Sequence, residues 1–174
     1  GFEDDIRLYG YGVCACARGD GFFSKGKEVV VVGGGDTAAE EATYLAKLCT
    51  KVTLLVRKNS MRASKAMQKR VFNTQNINIL FNHETKAING EPGEIGVQSV
   101  TAFNNLTKKE IVVPASGFFV AIGHTPNTKI FKDQLQMDEN GYLMVEPGTT
   151  KTRVPGVFAA GDVADHVYRQ AVTL

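Results

Sequence analysis

Lys27-Glu28-Val29-Val30-Val31-Val32-Gly33-Gly34-Gly35-Asp36-Thr37-Ala38 is the stretch on which the reading of this chain turns. Four consecutive valines predict a strand buried on both faces, the habit of a parallel sheet. The residues that follow the glycines, Thr37 to Leu48, are rich in Ala, Glu and Leu, with apolar side chains at Ala38, Ala42, Leu45 and Leu48. That spacing is helical. A strand, a glycine turn and a helix in succession are the context in which Gly33-x-Gly35-x-x-Ala38 reads as a dinucleotide fingerprint. The first glycine permits the tight turn, the second admits a pyrophosphate against the backbone, and the small Ala38 lets helix and strand pack closely. The start of the helix, at Thr37, offers free N–H groups and the positive end of its dipole to the anion. A ligand-free glycine turn is the alternative left open by this motif alone.

Working outward, Lys51 to Val56 predicts a second buried strand, Ala63 to Phe72 a second helix, and Ile77 to Phe81 a third strand. From Glu84 to Val113 the texture changes to short alternating segments. Asn89-Gly90, Pro92-Gly93 and Asn104-Asn105 read there as turns, which makes the region an antiparallel meander. Gly117 to Ile122 is again a buried strand. Beyond Pro126 lie turns at Asn140-Gly141, Pro147-Gly148 and Pro155-Gly156, and the last residues, Val167 to Leu174, read as helical. Alternating strands and helices predict a three-layer, Rossmann-like α/β domain with a parallel sheet and an antiparallel β-meander.

The end of the second strand separates the two nicotinamide cofactors. An NAD site carries Asp or Glu there, roughly 20 residues past the glycines, to hold the ribose 2′-hydroxyl. Here Val56 occupies the place, followed by Arg57, Lys58 and then Arg62. Three cations and no acid favour the 2′-phosphate of NADP through charge-assisted hydrogen bonds. A solvated basic loop is the alternative.

The chain has 174 residues, 20 basic and 18 acidic, for a net charge of +2. That balance argues against nucleic acid or an anionic membrane as partner. No apolar run reaches the ~18 residues of a membrane span. The acidic start Gly1-Phe2-Glu3-Asp4-Asp5 is no secretory signal. A first residue other than Met, and an end inside a helical segment, predict a piece of a longer protein. Three cysteines are an odd number without a disulfide framework, which makes a reducing cytoplasm the expected compartment. Cys14 and Cys16 lack further ligands for a metal, so none is expected. Cys49 is expected as a packing residue, and His83 as a surface residue of the turn that precedes the meander.

Several stretches together carry a resemblance. They are Gly21-Phe22-Phe23, Gly33-Gly34-Gly35-Asp36-Thr37-Ala38, Glu40-Glu41-Ala42, Arg57-Lys58 with Arg62-Ala63-Ser64-Lys65, Ala121 through Thr128, and Pro155 through Ala171. In this order they resemble the pyridine-nucleotide part of a low-molecular-weight thioredoxin reductase. The resemblance implies a homodimeric flavoenzyme that passes electrons from NADPH to FAD, then to a Cys-x-x-Cys pair and on to thioredoxin. It implies a linker over residues 1–11, an NAD(P)H-binding domain over 12–125 and part of the second FAD-domain half over 126–174. It adds Asp36 to the glycine-turn site and Gly123 and His124 to the loop over the nicotinamide nucleotide. Gly161 and Asp162 correspond to the flavin-binding pair, and Arg169, Gln170 and Ala171 to the segment beside the flavin ring.

Two departures accompany it. The redox motif reads Cys16-Ala17-Arg18-Gly19-Asp20, so Cys16 and the proton-donor position Asp20 are kept but Gly19 stands where the second thiol is expected. The basic motif reads Val56-Arg57-Lys58 where the family has His-Arg-Arg. The missing thiol leaves two other expectations in play. One is a flavoprotein of the ferredoxin–NADP reductase type, without a dithiol. The other is a nucleotide-binding module without turnover.

Overall fold

The computed structural model describes residues 7–14, 17–123 and 126–165. Eight strands are formed there: β1 (Val13–Cys14), β2 (Glu28–Val32), β3 (Lys51–Val56), β4 (Ile77–Phe81), β5 (His83–Glu91), β6 (Gly96–Asn104), β7 (Glu110–Pro114) and β8 (Gly117–Val120). Two helices join them, α1 (Asp36–Leu45) between β2 and β3, and α2 (Lys65–Phe72) between β3 and β4. The chain divides into two compact units, residues 1–123 and 124–174.

In the first unit five strands form a wholly parallel sheet in the order β1-β8-β2-β3-β4. The valine run explains the centre of that sheet. Val29, Val30 and Val31 are all buried, but side chains alternate along a strand. Val29 and Val31 pack with Ala38, Ala42 and Leu45 of α1 and Val71 of α2. Val30 faces the other way, into Ile88, Val100 and Ala102 of a three-stranded antiparallel sheet ordered β5-β6-β7. The layers are therefore helices, parallel sheet and antiparallel sheet. Each buried valine contributes about 2 kcal/mol of apolar transfer.

Among the described residues the predicted strands and helices form where the sequence places them, with four informative differences; the helix expected over 167–174 lies outside those residues. First, α1 stops at Leu45 rather than Leu48. The amides of Lys47 and Leu48 bond three residues back, to Tyr44 and Leu45, and the Asn76 side chain donates to the carbonyls of Ala46 and Cys49 at 2.8 and 3.0 Å. A residue from the loop before β4 thus ends the helix. Second, α2 begins at Lys65, because the Ser64 hydroxyl caps it by accepting from the Met67 amide.

Third, Asn89-Gly90 is no turn. The pair sits inside β5 at a register shift against β6. Asn89 donates across the sheet to the hydroxyls of Ser99 and Thr101. A Cβ on Gly90 would lie 2.1 Å from the Gly96 carbonyl oxygen, so the glycine serves a bulge and the reversal falls at Pro92–Ile95. Fourth, β1 is a two-residue strand with no sequence signal, held on the sheet edge opposite Phe118 and Phe119.

The described residues of the second unit, 126–165, are irregular. Asp138 accepts from the amides of Asn140 and Tyr142, which shapes the predicted Asn140-Gly141 turn, and the Thr128 hydroxyl donates to the Gly141 carbonyl at 2.5 Å. The Leu143 amide donates to the Val163 carbonyl of the 3-10 turn Gly161–Val163.

Gly33, at the end of β2, is tightly constrained. Its φ is +149°, and an added Cβ would lie 2.2 Å from the Ala121 carbonyl oxygen and 2.8 Å from the Ala38 Cβ. Gly33→Ala is therefore expected to destabilise the chain by about 2–3 kcal/mol, read as a lower urea midpoint. An unchanged midpoint would contradict this packing.

Candidate functional site

The parallel sheet offers a place for a ligand. From β2 the chain crosses over to β3 on one side, while β8 lies on the other side of β2. Beyond the carboxyl ends of strands at such a reversal a crevice opens. It is lined by Gly33 and Gly34 after β2, by Arg57, Lys58 and Arg62 after β3, and by Ile122 after β8, and encloses about 480 Å³. The glycine turn and the three cations, far apart in the chain, share this cleft.

The glycine turn is built for its place. The Gly33 amide donates to the Leu55 carbonyl and the Ala121 amide to the Val32 carbonyl, so the ends of β3, β2 and β8 are bonded side by side. Gly35 caps α1 with φ −94° and ψ −174°, an extended conformation open to any residue, and no protein atom would meet its Cβ within 4 Å. Nothing in the protein calls for glycine there. A group laid against the backbone would, and the first-turn amides of α1, which have no intrahelical acceptors, would face it. The site thus fits a pyrophosphate. Ala38, fully buried, is the small residue that lets α1 reach the sheet, and Thr37 lies in the first turn.

The loop after β3 is stapled onto this turn. The Gly34 carbonyl accepts from the amides of Arg62 and Ala63 at 2.6 and 3.0 Å. The Asp36 carboxylate accepts from the Ser64 amide at 2.9 Å. One job of Asp36 is therefore to hold this loop. Val56 is buried, and Arg57, Lys58 and Arg62 are exposed along the cleft. Among the described residues no carboxylate forms an ion pair with any of the three.

Three lining residues went unrecognised in the sequence. His83, expected at the surface, is half-buried and lines the cleft, with its Nδ1 2.7 Å from the Phe81 carbonyl oxygen. Glu84 and Thr85 follow it along β5. The alternation of the meander marked them as strand residues, but only the packing of the two sheets brings them to the cleft.

The remaining positions lie elsewhere. Gly123, at φ +91°, follows Ile122 beyond β8. Gly161 is buried at φ +72° and opens the 3-10 turn that carries the exposed Asp162 in the second unit. Asp20 ends a helical turn, Ala17–Asp20, and does not line the cleft. Cys16, His124, Arg169, Gln170 and Ala171 lie outside the described residues. Among the described residues no group of three or more His, Cys, Asp or Glu is placed to hold a metal, and no helix is long and apolar enough to cross a membrane. Cys49 is buried, its thiol donating to the Ser24 carbonyl at 3.3 Å, and burial raises its pKa above the ordinary thiol value.

Comparison with known proteins agrees with this geometry. The family described as pyridine nucleotide-disulphide oxidoreductase matches residues 5–173. A thioredoxin reductase of Dictyostelium discoideum is 51% identical over 175 residues, covering 99% of this chain and 54% of that protein. One from Debaryomyces hansenii is 49% identical over 171 residues, 98% of this chain and 53% of that one. The solved structure of thioredoxin reductase from Giardia duodenalis superposes with a TM-score of 0.87 at 44% identity, over 99% of this chain and 56% of its own. The chain spans about half the length of the relatives it matches.

The raised thiol pKa has a chemical consequence, since the thiolate is the reacting species. In a Cys14→Ser, Cys16→Ser chain, Cys49 is expected to resist a disulfide reagent in native buffer at pH 8 and to react as denaturant unfolds the chain. Rapid stoichiometric labelling of the native form would contradict this.

Proposed function

The chain belongs to the pyridine nucleotide-disulphide oxidoreductase family, and from that premise we propose that it is the NADPH-binding part, with a portion of the FAD-binding part, of a thioredoxin reductase. The observation that carries the proposal is the shared cleft. A glycine turn open to a pyrophosphate and three cations face one space, with a buried valine where an NAD site carries its acid. Residues 12–125 correspond to the NADPH-binding domain and residues 126–174 to the FAD-binding portion, with 1–11 as the linker into it.

Within this reading Gly33, Gly35, Thr37 and Ala38 form the pyrophosphate cradle, and Asp36 fixes the neighbouring loop. Arg57, Lys58 and Arg62 hold the 2′-phosphate. Lys58 does so as a point charge, without the planar fork of an arginine. Gly123 and His124 flank the nicotinamide end. Gly161 and Asp162, with Arg169, Gln170 and Ala171, serve FAD. When bound, NADPH would supply hydride-donating chemistry and FAD electron-accepting chemistry. This chain's own residues orient the nucleotide by its phosphates and leave Cys16 as the redox thiol, with Asp20 as proton donor. The proposed partners are thioredoxin and a second copy of the protein, and the proposed compartment is a reducing cytoplasm.

Gly19 favours a second reading. A mixed disulfide needs a resolving thiol, and position 19 has none. A flavoprotein of the same fold that reduces an acceptor without a dithiol, as a ferredoxin–NADP reductase does, dispenses with it.

Titration of the full chain with NADPH and NADH, followed by nucleotide fluorescence, tests the cofactor assignment. Arg57→Ala with Arg62→Ala is expected to weaken NADPH binding by roughly 30-fold or more, from two charge-assisted hydrogen bonds, and to leave NADH binding unchanged. Equal losses for both nucleotides would overturn the assignment.

A further inference from the structure

The loop that carries the cations is gripped from the antiparallel sheet. The Asn105 side-chain amide donates to the Arg57 carbonyl at 2.8 Å and to Glu84 Oε1 at 3.2 Å. The Asn105 backbone amide donates to the Asn82 carbonyl at 2.8 Å, and the Asn82 amide donates to the Lys58 carbonyl at 3.1 Å. The carbonyls of the two consecutive cationic residues are thus held by two asparagines that belong to different connections. Asn82 reverses the chain between β4 and β5 at φ +60°, a left-handed conformation that asparagine tolerates. Asn105 stands in the β6–β7 turn, which is stiffened by Asn104 Oδ1 accepting from the amides of Leu106 and Thr107 at 3.0 and 2.9 Å. The Lys108 ammonium donates to the Asn105 carbonyl at 2.7 Å.

We infer that Asn105 is a positioning residue for recognition of the 2′-phosphate, acting through Arg57, Lys58 and Glu84. The inference rests on the NADP reading of the cleft. Two physical effects work in the same direction. Holding the backbone of residues 57 and 58 leaves only their side chains to be ordered when an anion arrives, which lowers the entropic cost of binding. Among the described residues that line the cleft, Glu84 is the one carboxylate. Its bond to the Asn105 amide keeps an oxygen engaged there. Released, that carboxylate would compete with the phosphate for the cations. Neither effect touches the glycine turn, so a nucleotide without the 2′-phosphate should not sense Asn105.

Calorimetric titration of the full chain with 2′,5′-ADP and with 5′-AMP separates these terms. The wild-type chain is expected to bind 2′,5′-ADP more tightly. Asn105→Ala is expected to lower the ratio of the two affinities about fivefold, from the loss of one to two hydrogen bonds, with 5′-AMP affinity unchanged. Asn105→Leu keeps the size, removes the donor without adding charge, and gives the same readout if the alanine variant does not fold. Glu84→Gln keeps the acceptor, removes the competing charge, and should preserve or raise the ratio. An unchanged ratio in the Asn105 variants would overturn the inference, as would a parallel fall for both nucleotides, which marks a merely structural role. A wild-type chain without preference for 2′,5′-ADP would overturn the NADP reading itself, and this inference with it.

Discussion

The first unit depends on the approach of Gly33 to Ala121. There the end of β2 meets the end of β8 so closely that a Cβ would lie 2.2 Å from a carbonyl oxygen. Bonds from Gly33 to Leu55 and from Ala121 to Val32 lock three strand ends in a row at that point. Because the chain turns without a side chain, α1 starts at Asp36, directly behind the sheet, and Ala38 can pack against the glycine. The crevice, the open backbone at Gly35 and the exposed first turn of α1 all follow from that crossing.

The sheet's two covers divide the work. The helices supply the apolar layer behind Val29 and Val31. The antiparallel sheet covers Val30 and also manages the loop that carries the cations. That loop is fastened at both ends: Asn82 and Asn105 hold the carbonyls of residues 57 and 58, while Gly34 and Asp36 hold the amides of residues 62 to 64. Long cationic side chains on a loose loop would lose much of their attraction for a phosphate to the cost of ordering them. Fastening at both ends reduces that cost and aims Arg57, Lys58 and Arg62 at a common space.

What could be read from the sequence was what repeats locally. The valine run, the apolar spacing of α1 and the glycine spacing are short-range patterns, and they located β2, α1 and the glycine turn between them. The cations were legible because they follow the strand directly. What escaped depends on distant partners. Asn76 ends α1 from thirty residues away, and the bulge at Gly90 exists only because Gly96 faces it. Glu84 and Asn105 read as ordinary strand and turn residues, since nothing near them in the chain hints at Arg57. Asn-Gly is a strong turn signal, and here cross-strand bonds from Asn89 to Ser99 and Thr101 override it.

Amide NMR of the isotopically labelled chain during titration with NADPH locates the nucleotide without relying on turnover. Shifts are expected to centre on Gly33 to Ala38 and on Arg57 to Arg62, the latter much reduced when NADH replaces NADPH. Shifts centred away from both segments, or a pattern identical for the two nucleotides, would contradict the shared cleft as an NADPH site.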